Sequence, residues 1–597
     1  MSRVATAPTR RTPPIHQGVL SACAFVGGES RLATASADGA IVIWDTNAGQ
    51  PVERLAAHKG PILALGWDAR RRRVISGGHD RRLAAWELDT GEVATLAEHP
   101  AGLYALAISP NGEQLASGGY DPVIRLWRLA DGSPLGELPG HDGAVLDLAF
   151  LDDERLVSCG RDYQVVVWDV TRRIERLRTA GHRRWAMRVG TSADGGLIFS
   201  GGEDGQVCGW SADTGARLWR TQFASPVWGL ERTADGTALI VGAGGLAARL
   251  DLGPVGPSEP RPIATETARV ISRSDGGLIA LGADNVILYR SNEPDTPLRR
   301  LSLRAPNYAS VAALRCPTGA GEHPAIAAVM TRANGQVDLD LDRERRSLAP
   351  AHRGLAFASC VVGRAMFATV GFDGMIHLRR AVDGALVRTL DHGGFIFSVG
   401  ASTDGSRLLA VGNDALSLWD IASGERIWGE SDLGVGFHVW GALSRDGRFA
   451  VAVGEGPHLY RWTFAAGGPR RERFDLDFGR LIGTCGLMAV AIIDDATMAV
   501  ATAAGEVRRV DLATSVSTLL HATHESGVRA SMISPNGRRL LSFSENGLTA
   551  VFDLQAGGLC TPDAIANAVV PAACFTPDDD LVWVDGEGAL HVEPATD

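Results

Sequence analysis

A repeat constrains this chain more than any other feature. Five tryptophans, Trp44, Trp86, Trp127, Trp168 and Trp210, follow one another at steps of 42, 41, 41 and 42 residues. Each lies six residues after an aspartate: Asp38, Asp80, Asp121, Asp162 and Asp204. Each aspartate lies four residues after a hydroxyl: Thr34, Ser76, Ser117, Ser158 and Ser200. A histidine opens each unit: His16, His58, His99, His141 and His182. Four residue types in register five times is not chance. A period of this length marks small supersecondary units that bury their apolar faces only by stacking on neighbours.

Within one unit, HDGAVLDLAF, ERLVSCG, QVVVWDV and IERLR read as four short strands, separated by LDD, RDY and TRR. Four strands at this period make a propeller blade, so the fold class is all-β. The residues resemble the WD-repeat family: a histidine near the start, an aspartate in the loop before the third strand, and Trp-Asp ending it. Trp44-Asp45 and Trp168-Asp169 keep the full dipeptide, whereas Trp86-Glu87, Trp127-Arg128 and Trp210-Ser211 keep only its first member. The resemblance implies a buried relay, in which aspartate accepts from histidine, histidine meets the hydroxyl, and the hydroxyl meets the indole N–H. Such a network specifies geometry only when every member is satisfied. It also explains five His-Ser-Asp sets without catalysis, since a catalytic triad occurs once and needs an exposed nucleophile beside an oxyanion site.

After Trp210 the pattern fades. Units from about Phe223 and Ile263 carry only the turns TADG and RSDG. A ninth unit keeps His352, Thr369 and Asp373 with Arg379 in the tryptophan place, and a tenth has His392 and Trp419-Asp420, with Asp414 one residue too close. A thirteenth keeps His524 and Ser542, with Asn546 and Phe552-Asp553 in the remaining places. Counting by period gives fourteen units. Propellers close with about 4–8 blades, so we expect tandem seven-bladed β-propellers. The first spans 15–303, and the second, degenerate one spans 304–597. The segment 1–14 contains RVATA (Arg3–Ala7), expected to supply a closing strand to the last blade, which ends at LHVEPATD with a third strand and no fourth.

The formal charge is −11, and Lys59 is the single lysine among basic residues that are otherwise arginine, a bias that suits a GC-rich bacterial genome. No basic run is long enough to track a phosphate backbone, so no nucleic-acid partner is expected. Eight cysteines without a CxxC pair suggest neither zinc nor a disulfide framework. The start, MSRVATAPTRRTPP, lacks the apolar stretch of a secretory signal, and no run approaches the roughly twenty apolar residues of a membrane span. These features lead us to expect a cytoplasmic protein that takes no membrane as partner.

The resemblance also implies where binding occurs: the face where the central channel opens, three and five residues after each opening histidine and just before each loop aspartate. In the first ring these positions hold Tyr104, Trp185, Met187 and Trp228, with His79, Tyr120, Arg161 and Glu203 before the loops and Lys59 and Arg183 at the rim. In the second they hold Phe357, Phe395, Phe397 and Phe437, with Phe372 and Asn413 before the loops. Aromatics and arginine in a rigid hollow are typical binding hot spots; the competing reading is core packing or a channel plug. We therefore expect a non-catalytic scaffold or adaptor that recruits protein partners, as WD-repeat proteins of bacterial signalling or defence complexes do. No cofactor or metal is expected, because in the first ring Glu266 is the one carboxylate at an inferred first-strand channel position. The alternative is a propeller enzyme, either a quinoprotein-like dehydrogenase or a hydrolase. ADTGARLW (Ala212–Trp219) resembles the docking motif of quinoprotein dehydrogenases, and ASGERIW (Ala422–Trp428) echoes it, although both sit in turns where other units also use glycine.

Overall fold

The unit opening at His141 shows how the sequence makes one sheet. Its strands are Val145–Phe150, Arg155–Gly160, Gln164–Asp169 and Ile174–Ala180, each antiparallel to the one before. The β-branched run QVVVW suits a strand covered on both faces. Gly132 and Gly195, both with positive φ, turn the chain between strands. Middle strands such as Arg73–Gly78 are buried throughout, whereas outer strands such as Gln50–Ala56 are mostly exposed. That gradient follows from sheets standing face to face with their fourth edges in water.

The computed structural model describes residues 16–595 except 17–19, 28–30, 37–38, 46–47, 49, 234–235, 244, 254–255, 273–277, 283–285, 291–298, 303–307, 317–324, 333–334, 342–343 and 354. Also excepted are 413–414, 432–439, 455–457, 466–467, 477–486, 503–504, 523, 525–527, 545–547, 567–569, 571 and 586–588. The described residues form thirteen antiparallel sheets: eleven of four strands, one of eight and one of three. The long strand Arg261–Ser272 unites two units in the eight-stranded sheet. Its first half pairs with Gly245–Gly253 and its second half with Leu278–Gly282, the ladders meeting at Thr267.

Two cyclic arrays result. In the first, the opening strands contact one another in turn from Leu20–Phe25 onward, and Arg261–Ser272 returns against Leu20–Phe25. In the second, Tyr308–Cys316 lies between Ala356–Val362 and Ala572–Phe575. The core lies between neighbouring sheets, as where Leu126 and Leu138 meet Val145, Leu156 and Trp168. The molecule is all-β and built as tandem propellers. The three-stranded sheet ends with Leu590–Glu593. The expected ring boundary at 303/304, the segment 1–14 with its closing strand, Asp38, Asn413, Asp414, Phe437 and Asn546 all lie outside the described residues.

Candidate functional site

In the units at His16, His58, His99, His141 and His182, strand register places the second-strand hydroxyl beside the tryptophan position. Ser158 pairs across the ladder with Val166, two residues before Trp168, so hydroxyl and indole share one face. His141 then lies 2.8 Å from Asp162 through Nδ1 and 2.7 Å from Ser158 through Nε2, and the Trp168 indole donates to Ser158 at 2.7 Å. The unit at His182 repeats this with Asp204 at 3.1 Å, Ser200 at 2.8 Å and Trp210 donating at 2.8 Å. Burial pushes the Asp162 carboxyl up, but His141 and the amides of Asp142 and Gln164 more than offset it, leaving it below the ordinary value. Asp80, Asp204 and Asp373 are held low in the same way. In the first unit His16 and Trp44 both meet Thr34 at 2.8 Å.

Two units depart from the expected relay. In the second, His58 reaches Asp80 and Ser76, each at 2.7 Å, but the buried Trp86 indole N–H has no partner among the described residues. In the third, only the Trp127-to-Ser117 step stands, at 2.7 Å. Arg125 is the cross-strand partner of Ser117 and donates to Asp121 at 2.6 Å and His99 at 3.2 Å, while His99 Nδ1 lies 2.8 Å from the Ala101 carbonyl. A guanidinium has replaced the direct His99–Asp121 and His99–Ser117 contacts.

The first-ring channel residues gather into one cluster. Tyr104 and Tyr120 pack with tilted rings at 4.6 Å, His79 lies 5.4 Å from Tyr120, and the Tyr120 hydroxyl lies 3.1 Å from His79 Nε2. The Arg161 guanidinium stands over Tyr104, Tyr120 and Trp185 at 5.7, 5.8 and 5.2 Å and donates to the Tyr104 hydroxyl at 3.1 Å. Burial lowers His79 to about 4, so it is neutral near pH 7. Trp185 and Met187 are buried beside Leu146, with Tyr104 and Trp228 packed against them. Arg183 is exposed; its amide donates to Asp204 at 2.8 Å. Lys59 likewise sits at the rim, its amide donating to Asp80 at 3.0 Å.

The second-ring phenylalanines also gather, but not around an isolated mouth. Phe372 lies 5.6 Å from Phe357, 5.0 Å from Phe395 and 5.4 Å from Phe397. Trp440, which the sequence did not single out, packs on Phe357 and Phe397 at 5.8 and 6.4 Å. Trp228 of the first ring stacks on Phe372 and Phe395 at 5.4 and 5.0 Å. The two expected mouths therefore meet: Trp228, Phe372 and Phe395 form a junction between the rings, joined by Arg184 donating to the Gly393 carbonyl at 2.9 Å. Phe395 and Phe397 are buried there. Apolar rings facing the same side of two tethered bodies stay wet unless they cover each other.

Comparison with known proteins places this geometry. Residues 9–45, 49–87, 91–128 and 132–169 match the family model described as WD domain, G-beta repeat. Residues 153–310 match the model described as outer membrane protein assembly factor BamB. ASTRA-associated protein 1 of Verticillium alfalfae is 38% identical over 82 residues, 14% of this chain and 20% of that protein. Human F-box-like/WD repeat-containing protein TBL1X is 43% identical over 61 residues, 10% of each chain. Mouse Striatin-4 is 28% identical over 167 residues, 26% of this chain and 18% of its own. The chain thus spans a fifth or less of each of these relatives. The solved structure titled "Crystal structure of RRP9 WD40 repeats" aligns with a TM-score of 0.43 at 20% identity, covering 48% of this chain and 96% of that one. Together, the relay geometry and the family match identify this chain as a carrier of WD repeats, set in a propeller-like repeat architecture.

Proposed function

We propose that the chain is a non-catalytic scaffold that holds protein partners on the first-ring face around Tyr104, Tyr120, Arg161 and Trp185. The observation that carries this is Arg161, a half-buried guanidinium shared by three aromatic rings at a channel mouth. Rigid aromatics with an arginine at their centre lose little entropy on binding and suit a side chain or short segment of a partner. His16, His58, His141, His182 and His352 are each held against their own hydroxyl, and His99 is taken by Arg125, which leaves these groups no part in turnover. The WD-repeat relatives are the further support for a protein-interaction role. We also read each cyclic array as seven blades, over 15–303 and 304–597, in a cytoplasmic protein of bacterial type. The test is affinity capture from the source cells, with the intact chain beside a Tyr104→Ala/Arg161→Ala variant of equal melting temperature. A protein retained by the intact chain and lost by the variant is expected; identical capture by both contradicts the proposal.

A second reading, a quinoprotein-like propeller enzyme, is favoured by the match over 153–310, which contains ADTGARLW. There Trp219 packs 6.1 Å from Phe199, and its indole occupies the space a Cβ on Gly209 would need. Its equivalent in the echo, Trp428, packs on Trp462 and Phe464 at 5.9 and 5.4 Å. Both tryptophans thus do the packing of any blade. Quinone absorbance in the purified protein, or turnover of an alcohol or sugar, would reverse the ranking.

A further inference from the structure

The ring junction leaves a cleft of about 440 Å³ beside the Trp228 stack. One wall is the opening of the unit at His182, with Arg183, Arg184, Trp185 and Glu203. The other is the second ring, with Gly393 and the outer strand Arg426–Ser431, which brings Arg426 and Glu430. Both carboxylates are already committed. Glu203 lies 3.3 Å from Arg184, and Glu430 accepts from the Trp462 indole and from Arg471, each at 2.7 Å. Arg183 and Arg426 are exposed, and among the described residues neither side chain makes an ion pair or hydrogen bond. On a chain of formal charge −11, two unspent guanidiniums facing one cleft from opposite walls are a local positive site.

We propose that this cleft binds an acidic segment of a partner protein, one carboxylate on Arg183 and another on Arg426, so that the ligand bridges the two rings. The proposal rests on the reading of the chain as a protein-binding platform and names the chemistry of what it holds. A guanidinium pairs with a carboxylate through two parallel N–H bonds, which gives orientation as well as attraction. An extended acidic segment offers a separate carboxylate to the arginine on each wall. Trp185 belongs to the cleft and to the Arg161 cluster, so a segment leaving the cleft runs onto the aromatic face. Its affinity therefore depends on how the rings sit, which ties recognition to the Trp228 stack.

The test is fluorescence anisotropy on the whole chain with a fluorescein-labelled Glu-rich peptide containing one tyrosine, and with its Gln counterpart. The Glu peptide is expected to bind, more weakly as salt rises, and the Gln peptide not to bind. Arg183→Ala/Arg426→Ala is expected to weaken the Glu peptide about tenfold or more with an unchanged melting temperature. Arg346→Ala/Arg364→Ala, exposed arginines outside the cleft, is expected to leave it unchanged. Equal binding of the two peptides, or Glu-peptide binding indifferent to the cleft variant, overturns the proposal. Partner capture lost in Tyr104→Ala/Arg161→Ala yet kept in the cleft variant, with Glu-peptide binding also unchanged there, removes the cleft and leaves the platform standing. Capture unchanged in both removes the platform.

Discussion

The units at His141 and His392 build one joint from different residues. In the first, the hydroxyl between histidine and indole is Ser158, on the second strand, facing Val166 across the ladder. In the second, Ala410 stands in the serine place, and its cross-strand partner Ser417 supplies the hydroxyl, 2.6 Å from His392 and accepting from Trp419 at 2.7 Å. The hydroxyl has crossed the ladder without leaving its face of the sheet. What the joint needs is an acceptor for a buried indole N–H at one point in space, and either strand can provide it.

The same position, two residues before the tryptophan, accounts for the departures at His99 and His352, though not for that at His58, where Ala84 occupies it. Where it is Val42, Val166 or Cys208, the hydroxyl keeps both its histidine and its tryptophan. Where it is Arg125, the guanidinium takes the histidine and the aspartate for itself. Where it is His377, the ring stacks 4.4 Å from His352, which still reaches Asp373 at 3.0 Å and Thr369 at 3.1 Å. Arg379 then fills the tryptophan place, buried and donating to the carbonyls of Ala349, Pro350 and Gly384. Trp462 finds its acceptor in Glu430, on the neighbouring sheet.

The largest expected effect tests the contrast between the units at His182 and His392. Gly181 precedes His182, and a Cβ there would lie 1.8 Å from the Trp210 ring. Gly181→Ala must push the indole off Ser200, at a cost of about 3 kcal/mol or more. Asp391 precedes His392 and is exposed, so Asp391→Ala is expected to cost less than about 1 kcal/mol. Equal losses in thermal unfolding would erase the distinction between the two joints.

Acid comes next. Burial holds His377, His392, His521 and His524 near 4. An unfolded histidine takes its proton near 6.5, so these groups contribute in full above that pH and lose the contribution as pH falls through 4, about 1.4 kcal/mol per unit of pKa difference. In the first ring His79 is held near 4, and burial also lowers His99. The relay aspartates Asp80, Asp162 and Asp204 lie below the ordinary 3.8, so what they contribute is lost only under that value. Between pH 6.5 and 4 the second ring is therefore expected to open first, read by hydrogen exchange; first-ring opening would reverse the assignment.

A smaller effect separates two tryptophans within the first ring. Trp168→Phe removes a buried hydrogen bond to Ser158, while Trp86→Phe removes an indole N–H that has no partner among the described residues. The two lose the same ring volume, so Trp168→Phe is expected to cost about 1 kcal/mol more. Equal costs would mean that Trp86 has an acceptor.

The sequence carried the repeat period, the all-β class and the residues of the joint, because a buried network repeated five times leaves fixed spacings. It did not show that Arg125 rewires a unit or that Ser417 replaces a missing serine, since both depend on cross-strand register. Tyr104, Tyr120, Arg161 and Trp185 could be found by counting from the histidines. The meeting of Trp228 with Phe372 and Phe395 could not, because period says nothing about how two closed rings sit together. Trp440 and Glu430 escaped for a related reason: they follow no motif, and only packing brings Trp440 onto the phenylalanines and Glu430 to the Trp462 indole.

The units at His141 and His182 keep the whole aspartate–histidine–hydroxyl–indole relay, so the first ring is expected to be the stiffer platform and the second ring the more yielding one. Hydrogen exchange followed by mass spectrometry on the intact chain at neutral pH tests it most directly. The second and third strands of the units at His141 and His182 are expected to exchange more slowly than their counterparts at His352, His392 and His524. Uniformly slower exchange in the second ring would contradict the account.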